Sequence, residues 1–164
     1  MNQQELINRI ASFPILQDVP RPQIEWVVER GELMKVAAGD QIFKRGDSID
    51  RLLIMIDGTF SMKIQQNGQY KELARIETGE LTGALPYSRA QSATGNAFAV
   101  VNSKVFLLHK DHFKDLICEC HELTTVLVHL MTDRVRDFSR FQHQNEKLMA
   151  LGKLSAGLAH ELNN

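Results

Sequence analysis

His160 is the residue near the end of the chain whose type and position could do chemistry. A stripe with heptad spacing surrounds it, made of Leu151, Ser155, Leu158 and Leu162. If this stripe fills the a and d positions of a coiled coil, His160 falls at f, the outermost position. A neutral imidazole keeps a nucleophilic lone pair at neutral pH. His160 is therefore placed where other domains can reach it, and from its position alone it could be a nucleophile or an ordinary solvated histidine on a helix.

A second set of polar side chains follows Pro86. Tyr87, Ser88 and Arg89 are three consecutive hydrogen-bond donors. Donors of this kind suit an anionic or nucleotide-like ligand, because bonds to a charged group are stronger than bonds between neutral groups. The alternative is that Arg89 is a solvated loop residue and that the domain binds no small molecule.

A third set could hold a metal, and it comprises His109, His112, Cys118, Cys120 and His121. Residues two apart on a helix point about 200° from each other, so Cys118 and Cys120 are not expected to share one ion. They also lack the C-x₂-C pairing of structural zinc sites. We therefore expect no metal site.

The chain has only two cysteines, which cannot build a disulfide framework. So few cysteines fit a reduced, cytoplasmic protein.

The composition limits the class of protein that must position these residues. The chain has 164 residues, 43% of them hydrophobic and 24% charged, which suits one soluble domain with a short extension. Its 19 basic and 20 acidic side chains leave a charge of −1, so nucleic acid is not expected as a partner. The apolar run at residues 52–56 is too short to span a membrane, and the first residues lack the features of a signal peptide.

The first two thirds of the chain read as two helices followed by short strands. Helical spacing of apolar residues predicts helices over 3–12 and 21–30. From residue 31 the period changes to two, in seven β-prone runs separated by Gly-Asp, Asp-Gly and Asn-Gly turns. Asn67-Gly68 between two such runs predicts a hairpin. The pattern indicates an antiparallel sandwich or jelly roll.

The last third reads as helix, because residues 111–151 contain neither glycine nor proline. Asp111 is expected to cap a short helix that reaches Cys120, and His121 is expected to begin one that continues to the end. Leucines and Phe141 at heptad spacing predict that this helix pairs with a second copy, giving a homodimer. The alternative, one ordinary helix covering the domain, accounts for apolar spacing only up to about Phe141.

Several of the predicted strands resemble the cyclic-nucleotide-binding domain shared by catabolite-activator-type regulators and kinase regulatory subunits. The resemblance rests on residues 37–47, 53–58, 79–83 and 104–116, and covers roughly residues 6–135. It implies an α+β fold: an antiparallel β-roll flanked by helices, with a long C-terminal helix.

The same resemblance implies where a ligand would bind. That family holds the cyclic phosphate at a short loop and a helix N-terminus, with an arginine, and a glutamate after the loop's glycine binds the ribose. Aligned without gaps, Ala84 and Ala93 stand at the two charged positions. Because charge-assisted bonds contribute roughly 1.5–3 kcal/mol each, we do not expect the usual cyclic-nucleotide mode. A gapped alignment places Arg89 in the phosphate role. The candidate ligand residues are then Gly83, Tyr87, Ser88 and Arg89.

Residues 150–164 resemble the H-box of sensor histidine kinases, with its His-Glu-Leu-Asn-Asn core intact. The resemblance implies that His160 accepts a phosphoryl group, while Glu161 orients the imidazole and accepts its proton. It also implies a response-regulator receiver domain as partner. ATP and Mg²⁺ would be held by a catalytic domain that these residues do not include, so the chain is expected to be a fragment of a longer kinase, with no cofactor of its own.

The combined prediction is the sensory and dimerisation part of a two-component sensor histidine kinase. Residues 1–135 would form the sensory domain, and residues 136–164 the signalling helix and the start of the phosphotransfer helix. Two alternatives stay open. One is a ligand-free dimerisation scaffold, and the other is a transcription regulator of the cyclic-nucleotide type, for which a helix-turn-helix would be expected near residue 140.

Overall fold

The computed structural model describes residues 1–66 and 68–162. The description excludes the side chains of residues 66, 138, 141, 142, 145, 148, 150 and 153–162. The chain divides into two compact units, residues 1–128 and residues 129–164. The boundary at residue 135 between sensor and signalling helix stays a prediction.

Two helices open the chain where the apolar spacing predicts them. Helix α1 spans Gln3–Ala11 and helix α2 spans Arg21–Arg30. The first begins with a reciprocal cap: the Glu5 amide donates to Asn2 Oδ1 at 2.8 Å, and the Asn2 amide donates to Glu5 Oε2 at 3.0 Å. The second begins beside Pro20 and Pro22, which suit a first helical turn. Both predicted helices are confirmed.

Eight strands form two antiparallel four-stranded sheets. They are β1 Glu32–Val36, β2 Gln41–Phe43, β3 Arg51–Asp57, β4 Thr59–Gln66, β5 Gln69–Glu77, β6 Leu81–Gly83, β7 Asn96–Ala99 and β8 Ser103–His109. The strand order is β1-β8-β3-β6 in one sheet and β2-β7-β4-β5 in the other. The predicted hairpin is confirmed, since Gln66 pairs with Gln69 across the turn. Strand β6 was not predicted, because three residues ending in glycine carry too little periodicity.

The two faces of the β1-β8-β3-β6 sheet bury different apolar layers. Leu53 and Met55 of β3 belong to the core cluster that also contains Phe60 and Ile76 of the other sheet. The intervening residues of β3, Leu52, Ile54 and Ile56, point to the opposite face by strand alternation and are also fully buried. Apolar residues of the helices are buried as well, among them Ile10, Ile24, Leu116, Leu123 and Leu127. The structure is therefore the predicted α+β β-roll flanked by helices.

The chain leaves β8 through a 3₁₀ turn, Lys110–His112, into helix α3, Phe113–Glu119, and then helix α4, His121–Leu162. The prediction that Asp111 caps the short helix is wrong. His109 Nδ1 instead accepts a hydrogen bond from the Asp111 amide at 3.3 Å, and no side chain caps α3. The break between α3 and α4 lies at Cys120, whose backbone angles of −119° and 71° are not helical.

The part of α4 in the second unit carries exposed apolar side chains. Val135, Met149 and Leu151 are 62%, 65% and 60% exposed. Among the described residues, no helix is both long and apolar enough to cross a membrane.

Candidate functional site

The candidate ligand loop is residues 84–95, which connect β6 to β7. Hydrogen bonds tie it to the loop between β2 and β3. The Gly46 amide donates to the Ala93 carbonyl at 2.8 Å, the Ala93 amide donates to the Asp47 carbonyl at 2.9 Å, and the Ile49 amide donates to the Gln91 carbonyl at 3.0 Å. The second half of the ligand loop is therefore anchored to the β-roll.

Gly83 lies where the chain enters the ligand loop. Its φ of +81° is in the left-handed region, and a Cβ at this position would overlap the carbonyl oxygen of Arg51. The Ala84 amide donates to that same carbonyl at 2.8 Å. Only glycine allows this close approach of β6 to β3. Gly83 therefore shapes the start of the loop through its backbone.

The segment after Gly83 is a tight turn. The Ser88 amide donates to the Leu85 carbonyl at 3.1 Å, with Pro86 and Tyr87 at the two central positions. Tyr87 has a φ of +65°, so the turn resembles type II, which favours proline followed by a residue with positive φ. All of residues 84–95 are described, and none is helical. The expectation of a helix N-terminus at this loop is wrong, because Leu85 precedes a proline and Tyr87 is left-handed.

The three predicted donors share the exposed tip of this turn. Tyr87 is 65% exposed, and Ser88 and Arg89 are exposed as well. The Ser88 hydroxyl oxygen accepts the Ala90 amide at 3.2 Å, which leaves its hydroxyl hydrogen free to donate. Arg89 has no ion-pair partner within the described part of the chain. The donors are thus gathered on one short segment and open to solvent.

The two positions where the family has charged ligand residues and this chain has alanine are buried. Ala84 and Ala93 are 7% and 9% exposed, and both of their amides already donate within the protein. Neither residue supplies a charge or an unused backbone donor. An anion at this loop would depend on Arg89 and on its two neighbours.

Two further cations lie on the loop to which the ligand loop is bonded. Lys44 and Arg45 are exposed, and their amides donate to Asp47 Oδ2 at 2.7 Å and Asn96 Oδ1 at 3.1 Å. In the sequence, both residues belong to the stretch 37–47 that carries the family resemblance. The hydrogen bonds between the two loops show that these two cations lie on a segment next to the ligand loop.

Helix α2 contacts the beginning of α4, a connection that the sequence reasoning missed. The Leu123 amide donates to Gln23 Oε1 at 3.0 Å, and Gln23 Nε2 donates to a carboxylate oxygen of Glu122. The Trp26 indole N–H donates to Glu119 Oε2 at 2.9 Å. The hydrogen bond from Gln23 is the main cause that lowers the pKa of Glu122 below its ordinary value. No local signal could have revealed contacts between residues about 100 positions apart.

His160 and Glu161 lie within the span of α4, but their side chains are outside the described part of the structure. Their chemical roles and the outward heptad position of His160 stay predictions. For the third predicted set, Cys118 is exposed and Cys120 is buried. Burial raises the pKa of the Cys120 thiol. No group of three or more potential metal ligands is found among the described residues.

Comparison with known proteins places this architecture in one family. The model of the cyclic nucleotide-binding domain matches residues 33–119, which is just over half of the chain. No curated protein matches the chain.

Three solved structures illustrate the likeness. The catabolite activator protein of Thermus thermophilus is 20% identical, with a TM-score of 0.68 over 77% of this chain and 60% of that protein. The regulatory domain of a Toxoplasma gondii protein kinase A with cAMP is 18% identical, with a TM-score of 0.68 over 82% and 50%. The regulatory subunit of a cAMP-independent protein kinase A from Trypanosoma cruzi, bound to guanosine, is 17% identical, with a TM-score of 0.64 over 82% and 46%.

At these identities the likeness concerns the fold, and the chain spans about half the length of the two kinase subunits. The family assignment rests on the matched residues, which run from β1 to the end of α3. Those residues include the two antiparallel sheets and the ligand loop described above. This chain therefore belongs to the cyclic nucleotide-binding domain family.

Proposed function

We propose that this chain is a sensory domain that binds a nucleotide-like ligand at the loop after Gly83. The observation that carries the proposal is the exposed donor set of Tyr87, Ser88 and Arg89, in which Arg89 lacks an ion-pair partner among the described residues. Two proteins of similar fold were solved with cAMP and with guanosine, which supports a nucleotide-like ligand. Since Ala84 and Ala93 are buried and uncharged, the ligand would be bound without the usual pair of charged contacts.

A thermal-shift screen tests this binding, with cAMP, cGMP, guanosine and inorganic phosphate as probes. A ligand at 100 times its Kd adds roughly 2.7 kcal/mol, which raises the Tm of a chain of this size by about 5–10 °C. We expect at least one probe to do so. Arg89→Ala should then weaken its binding by about tenfold or more, because a charge-assisted bond is lost. Arg136→Ala, at an exposed arginine of α4, is the matched control. If no probe shifts the Tm at millimolar concentration, or if both variants bind equally, this part of the proposal is wrong.

We propose further that the domain passes its signal along α4 to His160, as the sensory and dimerisation part of a histidine kinase. The resemblance of residues 150–164 to the H-box supports the acceptor role of His160 and the orienting role of Glu161. Leu151, which is 60% exposed at a predicted d position, supports pairing of α4 with a second copy. In this proposal residues 1–135 sense and residues 136–164 transmit. A catalytic domain of the longer protein supplies ATP and Mg²⁺, and a receiver domain takes the phosphoryl group.

Labelling with radioactive ATP tests the relay in the longer protein that carries an ATP-binding domain. We expect acid-labile label on the unmodified protein, and loss of more than about 95% of it in His160→Gln, because the nucleophilic nitrogen is the attachment point. His143→Gln changes another histidine of the same helix and should keep the label. Equal labelling of both variants would show that His160 is not the acceptor.

The two alternatives make different predictions. A ligand-free scaffold would dimerise but show no thermal shift with any probe. A transcription regulator would bind DNA in a gel-shift assay with strong salt dependence, and His160→Gln would leave that binding unchanged.

A further inference from the structure

The first turn of α4 follows a residue of a type that caps helices poorly. The residue before it is Cys120, whereas serine, threonine, aspartate and asparagine are the residues that cap helices well. The first amides of a helix have no partner inside the helix. Here the amide of Leu123, the third residue of α4, donates to Gln23 Oε1 at 3.0 Å. The cap of this amide is therefore supplied by α2.

The Gln23 amide group contacts two consecutive residues of α4. Its oxygen accepts the Leu123 amide, while its nitrogen donates to the Glu122 carboxylate. A carboxamide suits both contacts because it carries an acceptor and a donor side by side. An aliphatic side chain could make neither bond, and an ionised acidic one could accept the Leu123 amide but could not donate to the Glu122 carboxylate.

Helix α2 also holds the chain on the other side of the Cys120 break. The Trp26 indole donates to Glu119 Oε2 at 2.9 Å, and the guanidinium of Arg30 lies 4.1 Å from the centre of the Trp26 ring. Trp26 is 8% exposed and Cys120 is 1% exposed, so these contacts border the core. One helix thus contacts the last residue of α3 and the first turn of α4.

We propose that Gln23 is a positioning residue that fixes the start of α4 against α2. Its side chain caps α4, holds Glu122, and so keeps the break at Cys120 in one place. The consequence for signalling rests on the function proposed above: if α4 is the output helix, Gln23 couples its first turn to α2.

Hydrogen–deuterium exchange on the full chain tests this role. Gln23→Leu keeps a side chain of similar size but removes both bonds, so exchange of the Leu123 amide should rise roughly tenfold. Gln23→Glu keeps an acceptor for the Leu123 amide but loses the donor to Glu122 and places two carboxylates together, so exchange should rise by less than in Gln23→Leu. Combining Gln23→Glu with Glu122→Gln exchanges the two groups: the carboxylate at position 23 can accept both the Leu123 amide and the new side-chain amide at position 122. Exchange of the Leu123 amide should then return to within about threefold of the unmodified chain. Gln17→Leu changes an exposed glutamine that takes no part in this contact, and it is the control.

The proposal is overturned if the Leu123 amide exchanges at the same rate in Gln23→Leu and Gln17→Leu. It is also overturned if the combined variant stays as fast as Gln23→Glu, since a general loss of packing would not be rescued by exchanging the two groups. Failure of the signalling function would be seen separately, as absent probe binding or absent label on His160, with the exchange results unaffected.

Discussion

Gly83 and Tyr87 are the residues whose backbone angles shape the candidate ligand loop. Both have positive φ, at +81° and +65°. For glycine this conformation carries no side-chain penalty, whereas a non-glycine residue pays roughly 1 kcal/mol or more. Tyr87 is also 65% exposed, so the loop presents a large aromatic ring to solvent at the turn that carries Ser88 and Arg89.

We expect Gly83→Ala to destabilise the domain by about 2–5 kcal/mol, since it combines an unfavourable φ with overlap of the new methyl group and the Arg51 carbonyl. Urea denaturation measures this loss. Gly39→Ala is the matched control, because Gly39 has a φ of +88° but open space around its Cβ position, and about 1 kcal/mol is expected. Equal losses in the two variants would show that the approach of Arg51 does not matter.

The apolar side chains of helix α4 are buried near its start and exposed towards its end. Leu123 and Leu127 are 2% and 0% exposed within the first unit. In the second unit, Met149 and Leu151 are more than half exposed. Of these two, Leu151 lies at a predicted d position, where an exposed apolar residue is typical of a surface that a partner covers. The homodimer proposed above gives this part of α4 such a partner.

Leu151→Glu should therefore weaken the proposed dimer by about tenfold or more, because a charge would enter a desolvated seam. Sedimentation equilibrium of the full chain measures the dissociation constant. Ser139→Glu adds the same charge at a predicted outward position and should change the constant by less than about threefold. A dimer that tolerates both substitutions equally would not use the predicted seam, and a monomeric unmodified chain would contradict the homodimer itself.

At the scale of the whole molecule, the order of helices and strands was largely predictable. Helices over 3–12 and 21–30, the hairpin at residues 66–69 and the long last helix follow from spacing and turn residues, which are local properties. The β-roll class followed from the number and length of the strands together with the family resemblance. Strand β6 and the cap of the 3₁₀ turn after β8 were missed, because the first depends on pairing with β3 and the second on the side chain of His109.

The candidate site divides in the same way. The residue types alone give the donors available at the loop, Tyr87, Ser88 and Arg89, and the charges missing at Ala84 and Ala93. Long-range packing buries these alanines, makes the loop a turn instead of a helix and brings Gln23 to the first turn of α4. The physical reason is that the spacing of apolar residues depends only on residues that are close together in the sequence. Burial of a loop and capping by a residue 100 positions away depend instead on how distant segments pack.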